Sequence, residues 1–318
     1  MHGMSRRLAL TAFFAVFIAT TATMTATAWA QLQTPAALRE VEVRQGVQYV
    51  VHDGVPLAGD LYVPKAPGKY PVVIAVHGGG WQVGNSGNYR SWGNWLAARG
   101  YAVFAINYRL MKPGQKTYPQ AVHDVRAAIQ FVKAKAADFN LDPERVALMG
   151  DSAGAHLVAL VALAGDDPTF AGAYKDDQHA SVSTKVKAVV AAYGIYDMVQ
   201  QLNHDLLSRP QDSIVSKFLG ETPWQNRKLY FDSSPMSYVQ NSNRSASFFL
   251  VHGTEDDIVD RAQSDAFLLA LKQAGFFARN AVLQGLGHFW FTGDPLEDAN
   301  GGSASVAPRV VRFFQLRL

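Results

Sequence analysis

The sequence predicts an α/β fold: a mostly parallel sheet with helices on both faces, an antiparallel hairpin at its N-terminal edge and a strand-free insertion at about residues 198–246. Three observations carry this. Continuous β-branched runs such as Pro71-Val72-Val73-Ile74-Ala75-Val76 suit strands buried on both faces. They alternate with amphipathic helical patterns, which implies parallel strands joined by right-handed crossovers. Finally, Gly150-Asp151-Ser152-Ala153-Gly154 follows the apolar run Val146–Met149 and opens a helical pattern with Leu157, Leu160, Val161 and Ala164 on one face.

The first 30 residues read as a leader. Arg6 and Arg7 are basic, Leu8 to Ala19 is an apolar run, and Ala28-Trp29-Ala30 is a small-x-small cleavage site. This is the order of a secretory signal peptide, so the mature chain is expected to be exported, periplasmic or extracellular. The apolar run is short for a membrane span, which takes about 20 residues, so no stable anchor is expected after cleavage. The paired arginines leave twin-arginine export open as a route. Residues 31–318 are expected to form a single domain, as the 48% hydrophobic composition allows. Removing Arg6 and Arg7 from the 29 Lys+Arg leaves 27 against 26 Asp+Glu. So even a balance offers no footing for a nucleic-acid backbone. The chain has no cysteine, hence no disulfide, no thiolate metal site and no lipid-modified cysteine.

Val41–Val51 and Leu57–Val63 alternate apolar and polar residues across an Asp53-Gly54 turn, the signature of a hairpin. Pro71–Val76 is the first buried strand, and Tyr101–Asn107 follows a helical stretch closed by Gly100. Pro119 opens a helix with Val122, Val125, Ile129 and Val132 on one face. Lys187–Tyr193, Ser247–Val251 and Asn280–Leu283 are the later strands, and Val306, Val310, Phe313 and Phe314 fit a closing amphipathic helix. Between 198 and 246 the pattern is polar and punctuated by proline, with scattered aromatics such as Phe218, Trp224 and Tyr230. This reads as a cap over the site.

Two motifs carry chemistry. In G-x-S-x-G a sharp turn exposes the serine hydroxyl at the top of a sheet, in front of a helix N-terminus. The second motif, His77-Gly78-Gly79-Gly80-Trp81, follows a buried strand. Three glycines there make sense where backbone N–H groups must approach a ligand, and preorganised donors facing a developing oxyanion are worth about 3–4 kcal/mol each. Gly79, Gly80 and Ala153 are the expected donors, with Gly78 permitting the turn and His77 bracing the loop. His288, in the glycine-flexed loop Gly285–Trp290, is the expected base. A carboxylate just past the strand end at 251 can hold that histidine in the correct tautomer. Asp197, at another strand end, is a rival that more often braces a loop.

The paired motifs resemble the α/β-hydrolase esterases, over roughly residues 45–316. The likeness is closest to the hormone-sensitive-lipase-like group and to bacterial feruloyl- and acetyl-esterase-like relatives. The resemblance implies that the acid stands four residues after the histidine of His252-Gly253, which is Asp256, with Asp257 the neighbour to exclude. Ser152, Asp256 and His288 then follow the Ser…Asp…His order of that fold. It also implies a structural role for Arg109 in Tyr108-Arg109, while His123 reads as a packed residue.

The expected function is that of a serine carboxylesterase acting on a small-molecule or carbohydrate-linked ester of short-chain acyl, acetyl or feruloyl type, with no metal or organic cofactor. Trp81, Phe289 and Trp290 are the expected substrate contacts. Two alternatives stay open. An aryl formamidase uses the same groups, but its loop carries an aromatic in place of Gly80. A non-catalytic binding protein on the same scaffold usually lacks the serine or the histidine.

Overall fold

Eight strands form one sheet in the order β1-β2-β4-β3-β5-β6-β7-β8. They are β1 (Val41–His52), β2 (Val55–Pro64), β3 (Tyr70–Val76), β4 (Ala102–Ile106), β5 (Leu141–Asp151), β6 (Ala188–Ala192), β7 (Ser247–Gly253) and β8 (Ala278–Leu283). The computed structural model describes residues 38–112, 114, 115 and 117–318, and the leader expected at 1–30 lies outside them. Strand β2 pairs antiparallel with both β1 and β4, and the remaining pairs are parallel. The hairpin turn falls at Asp53 (φ 50°) and Gly54 (φ 76°), as the Asp-Gly pair requires.

The main helices are α1 (Arg90–Ala97), α2 (Gln120–Ala134), α3 (Ala153–Ala164), α4 (Pro168–Ala171), α5 (Met198–Ser208), α6 (Ile214–Leu219), α7 (Arg227–Ser233), α8 (Ala262–Gln273), α9 (Trp290–Gly293) and α10 (Gly302–Arg317). The period-two character of β3 divides the core. Val72, Ile74 and Val76 pack with α2, α3 and α8 through Val122, Ile129, Leu157 and Phe267. Val73 and Ala75 face the other way, toward α1 and α10 through Trp92, Leu96, Val310 and Phe314. Residues 39–318 form one compact unit, a mostly parallel sheet with helices on both faces. The stretch 198–246 holds short helices and no strand. Among the described residues no helix is long and apolar enough to cross a membrane.

Candidate active site

Helix α3 is buried along its whole length, so the turn that feeds it is set by packing on every side. Ser152 occupies that turn with φ 52° and ψ −121°, a conformation that side chains rarely adopt and that only surrounding structure can hold. Its N–H donates to the Ala192 carbonyl at 2.9 Å, and its carbonyl accepts the His156 N–H at 3.0 Å. Gly154 is required by close approach: a Cβ there would stand 2.0 Å from the Val76 carbonyl oxygen.

The imidazole of His288 lies between the two other expected groups. Its Nε2 is 2.9 Å from Ser152 Oγ, and its Nδ1 is 2.7 Å from Asp256 Oδ2. An ionised carboxylate only accepts hydrogen bonds. Nδ1 therefore carries the proton, leaving the Nε2 lone pair toward the serine hydroxyl. The ring of His288 also leans on Tyr193, with centroids 4.4 Å apart.

Asp256 is held more firmly than its sequence position shows. Oδ1 accepts the N–H groups of Ile258 at 3.0 Å and Val259 at 2.9 Å. His252 Nε2 lies 3.3 Å from Oδ2, and its Nδ1 meets Ser264 Oγ at 2.8 Å. Burial pushes the Asp256 carboxyl up, but the contacts with His252 and His288 outweigh it and hold it well below the usual carboxylate range. The supporting role of His252 was missed at the level of sequence, although its place on the strand end four residues before the acid was visible. The carbonyl of Asp257 meets the His204 ring at 2.9 Å; the His288 contact belongs to Asp256. Asp197 caps α5, accepting from Val199 N at 2.8 Å and Gln200 N at 3.0 Å, as its loop-bracing alternative required.

The glycine loop lies against this turn. Gly79 (φ 106°) and Gly80 (φ 58°) both take left-handed backbone, and the Gly79 carbonyl accepts Gln82 N–H at 3.0 Å and Val83 N–H at 3.1 Å. A Cβ on Gly79 would come within 2.2 Å of the Val83 carbonyl oxygen, so no other residue fits this turn. His77 braces the loop: its ring stacks on Tyr108 at 4.4 Å, and Nδ1–H donates to the Gly78 carbonyl at 2.7 Å. Burial lowers His77 to about 4, which keeps it neutral. A cavity of about 870 Å³ opens beside the loop, lined by Gln82, Val83, Met111, Lys217 and Gly220 among others.

The expected substrate contacts divide. Phe289 is 64% exposed and meets the His288 ring edge-on at 4.6 Å. Trp81 is 0% exposed, so the expectation of a substrate-facing indole is corrected to one of packing. It stacks on Phe218 of α6 at 4.1 Å, and its Nε1–H donates to His156 Nδ1 at 3.2 Å. His156 Nε2–H in turn donates to the Ser233 carbonyl at 2.8 Å, and burial lowers this histidine to about 4. Trp290 is likewise buried, with its ring 5.6 Å from Tyr193, and is corrected in the same way.

Arg109 and His123 lie in a separate cluster. Arg109 grips Asp124 through Nε and Nη2 at 2.7–3.1 Å and pairs with Asp53. The ring of His123 faces Tyr174 and Phe170.

A buried Ser-His-Asp relay at the C-terminal edge of a doubly covered, mostly parallel sheet is the arrangement of the α/β-hydrolase class. The solved structures agree on the fold. Esterase B from Lactobacillus rhamnosis has a TM-score of 0.71 at 21% identity, covering 96% of this chain and 95% of that one. The native Est2 esterase of Thermogutta terrifontis gives 0.68 at 21% identity, covering 88% and 92%. Residues 59–271 match the BD-FAE family model, and the chain belongs to that family. Esterase LipQ of Mycobacterium tuberculosis is 34% identical over 213 residues, which are 66% of this chain and 48% of that protein. The chain spans about half the length of the curated relatives it matches.

Proposed function

We propose that this chain is a serine carboxylesterase. The observation that carries the reading is the continuous contact from Asp256 through His288 to Ser152, at 2.7 and 2.9 Å. Family membership and relatives named as esterases support it. In this reading His288 Nε2 takes the proton of the Ser152 hydroxyl as Oγ attacks an ester carbonyl. The N–H groups of Gly79, Gly80 and Ala153 bind the oxyanion. The imidazolium, steadied by Asp256, then protonates the departing alcohol. A water deprotonated by His288 attacks the acyl-enzyme, and Ser152 recovers its proton as the acid leaves.

The exposed ring of Phe289 beside His288 supports its reading as a substrate contact. The cavity along Val83 and Met111 has room for one moiety of an aryl or short acyl ester. The preferred substrates are therefore acetyl, short-chain acyl or feruloyl esters, including those carried on carbohydrate, met after export of the mature chain. A panel of p-nitrophenyl acetate, butyrate and decanoate, methyl ferulate and acetylated xylan tests this. Turnover confined to an N-formyl aromatic amine would overturn it in favour of a formamidase. Growth of the source cells with fractionation of the activity tests export: a cytoplasmic location for the full-length chain would refute that part.

A further inference from the structure

Asp151 immediately precedes the serine and takes part in none of the steps above. Its buried carboxyl bridges three segments that are distant along the chain. Oδ1 accepts the Gly78 N–H at 3.1 Å, and Oδ2 accepts the Thr292 hydroxyl at a longer 3.4 Å. Gly78 leads directly into Gly79 and Gly80, while Thr292 lies on α9, just past His288. One carboxyl therefore touches the turn that carries Ser152, the glycine loop and the segment that carries the imidazole. The fit is close. A Cβ on Gly78 would stand 2.7 Å from Asp151 Oδ2 and 3.1 Å from Ser152 Cβ.

A buried carboxyl is costly to keep unless its oxygens are satisfied. Burial raises this one to about 6, against the opposing pull of Tyr89, the Gly78 N–H, His288 and Thr292. The Tyr89 hydroxyl, itself buried, has no partner at full hydrogen-bonding geometry. An apolar side chain would avoid that cost but would orphan the Gly78 N–H, so burial alone does not account for the carboxyl.

Its place in the loop does. The glycine stretch is anchored upstream by Tyr108, whose hydroxyl donates to the His77 carbonyl at 3.0 Å. Downstream, the bonds from Gln82 and Val83 close the loop on itself, and the ties to other segments start at Trp81, past the glycines: its carbonyl accepts the Met111 N–H at 2.8 Å and its indole N–H reaches His156. The Gly78–Asp151 bond joins the loop to the nucleophile turn. Oxyanion donors act only when already in place, and a displacement of about 1 Å costs on the order of 100-fold.

We propose that Asp151 is a positioning residue for acyl transfer, its carboxyl fastening Gly78 to the nucleophile turn and so setting the Gly79 and Gly80 amides against Ser152. This rests on the esterase reading above. Asp151→Asn retains an oxygen that accepts the Gly78 N–H. Asp151→Leu has similar bulk and no acceptor, and Asp151→Ala leaves space instead. With p-nitrophenyl acetate, kcat of the Leu and Ala variants is expected to fall about 100-fold, with KM within about threefold. Affinity for a phenylboronic acid, a tetrahedral mimic, should fall in step with kcat. The Asn variant should recover to within about tenfold of the parent. Thermal midpoints and stoichiometric labelling of Ser152 by paraoxon report which variants are folded. Unchanged kcat in a folded Leu or Ala variant overturns the assignment. So does a loss in Asn as large as in Leu, with kcat, KM and midpoint moving together. If the parent protein neither turns over the ester nor takes the label, the esterase reading itself falls, and the assignment of Asp151 with it.

Discussion

Two histidines in this molecule are held by aspartates at the same distance, and only one of them meets a serine hydroxyl. His288 meets Asp256 at 2.7 Å and His52 meets Asp124 at 2.7 Å, each with a side chain 1% exposed. The difference lies on the far side of each ring. His288 faces a hydroxyl, whereas His52 Nε2 faces a second carboxylate, Asp177, at 2.8 Å. Carboxylates only accept, so the arrangement favours the protonated ring, with both nitrogens of His52 donating. Burial pushes His52 down, but the bonds to Asp124 and Asp177 outweigh it and raise it. Arg109, Asp53 and Tyr174 complete this cluster. A histidine–aspartate pair is thus a generic way to fix a ring. What the second nitrogen meets decides whether the ring can exchange a proton or only carry a charge.

The sharpest way to break the comparison is at the nucleophile. Ser152→Ala is expected to lose about 10⁵-fold or more in ester turnover, with the unfolding midpoint unchanged; near-parental kcat would remove the serine from the mechanism. Asp256→Asn should cost about 10⁴-fold by favouring the wrong tautomer of His288. Asp257→Asn should stay within about threefold, and the reverse order in steady-state kinetics would move the acid by one residue.

Asp124→Asn, the matching change in the other cluster, should act on stability. It leaves His52 and Arg109 without their buried partner, a loss of about 3–5 kcal/mol. Denaturant titration measures this, and turnover per folded molecule should remain within about threefold. A large kinetic defect with normal stability would show that the His52 cluster serves the chemistry after all.

The smallest effect is a pair of opposed pH slopes. His52 is raised above its ordinary 6.5, so its contribution is complete below that value and is lost as pH rises through the folded value. His156 is lowered to about 4, so its contribution is present above 6.5 and is lost as pH falls from 6.5 toward 4. His52→Asn should flatten the alkaline fall in the unfolding midpoint, and His156→Asn the acid one. Slopes of the same sign in both variants would refute the assigned charge states.

Much of this was legible in the sequence because it is local. The turn at Ser152 and the glycine loop are contiguous motifs, and the strands ending at 76, 151 and 253 announce themselves by burial on both faces. The order of serine, acid and base follows from which loops lie beyond which strands. The His52 cluster was not legible, since it unites a hairpin turn, a helix face and a loop with no shared pattern. Trp81 and Trp290 were misread for the same reason. An aromatic beside a catalytic motif has two faces available, and the partner that buries Trp81 is Phe218, from a helix in the least patterned part of the chain. The bond from Asp151 to Gly78 is invisible because a residue inside a motif is read for its spacing, not for what its side chain reaches.

The stack of Trp81 on Phe218 has a consequence for engineering. The insertion at 198–246 bears on Trp81, the residue after Gly80, directly through the Phe218 ring and by way of His156 from the Ser233 carbonyl. Grafting a relative's insertion to change selectivity would therefore detune the rate as well, unless the donor segment brings an aromatic ring to the same spot.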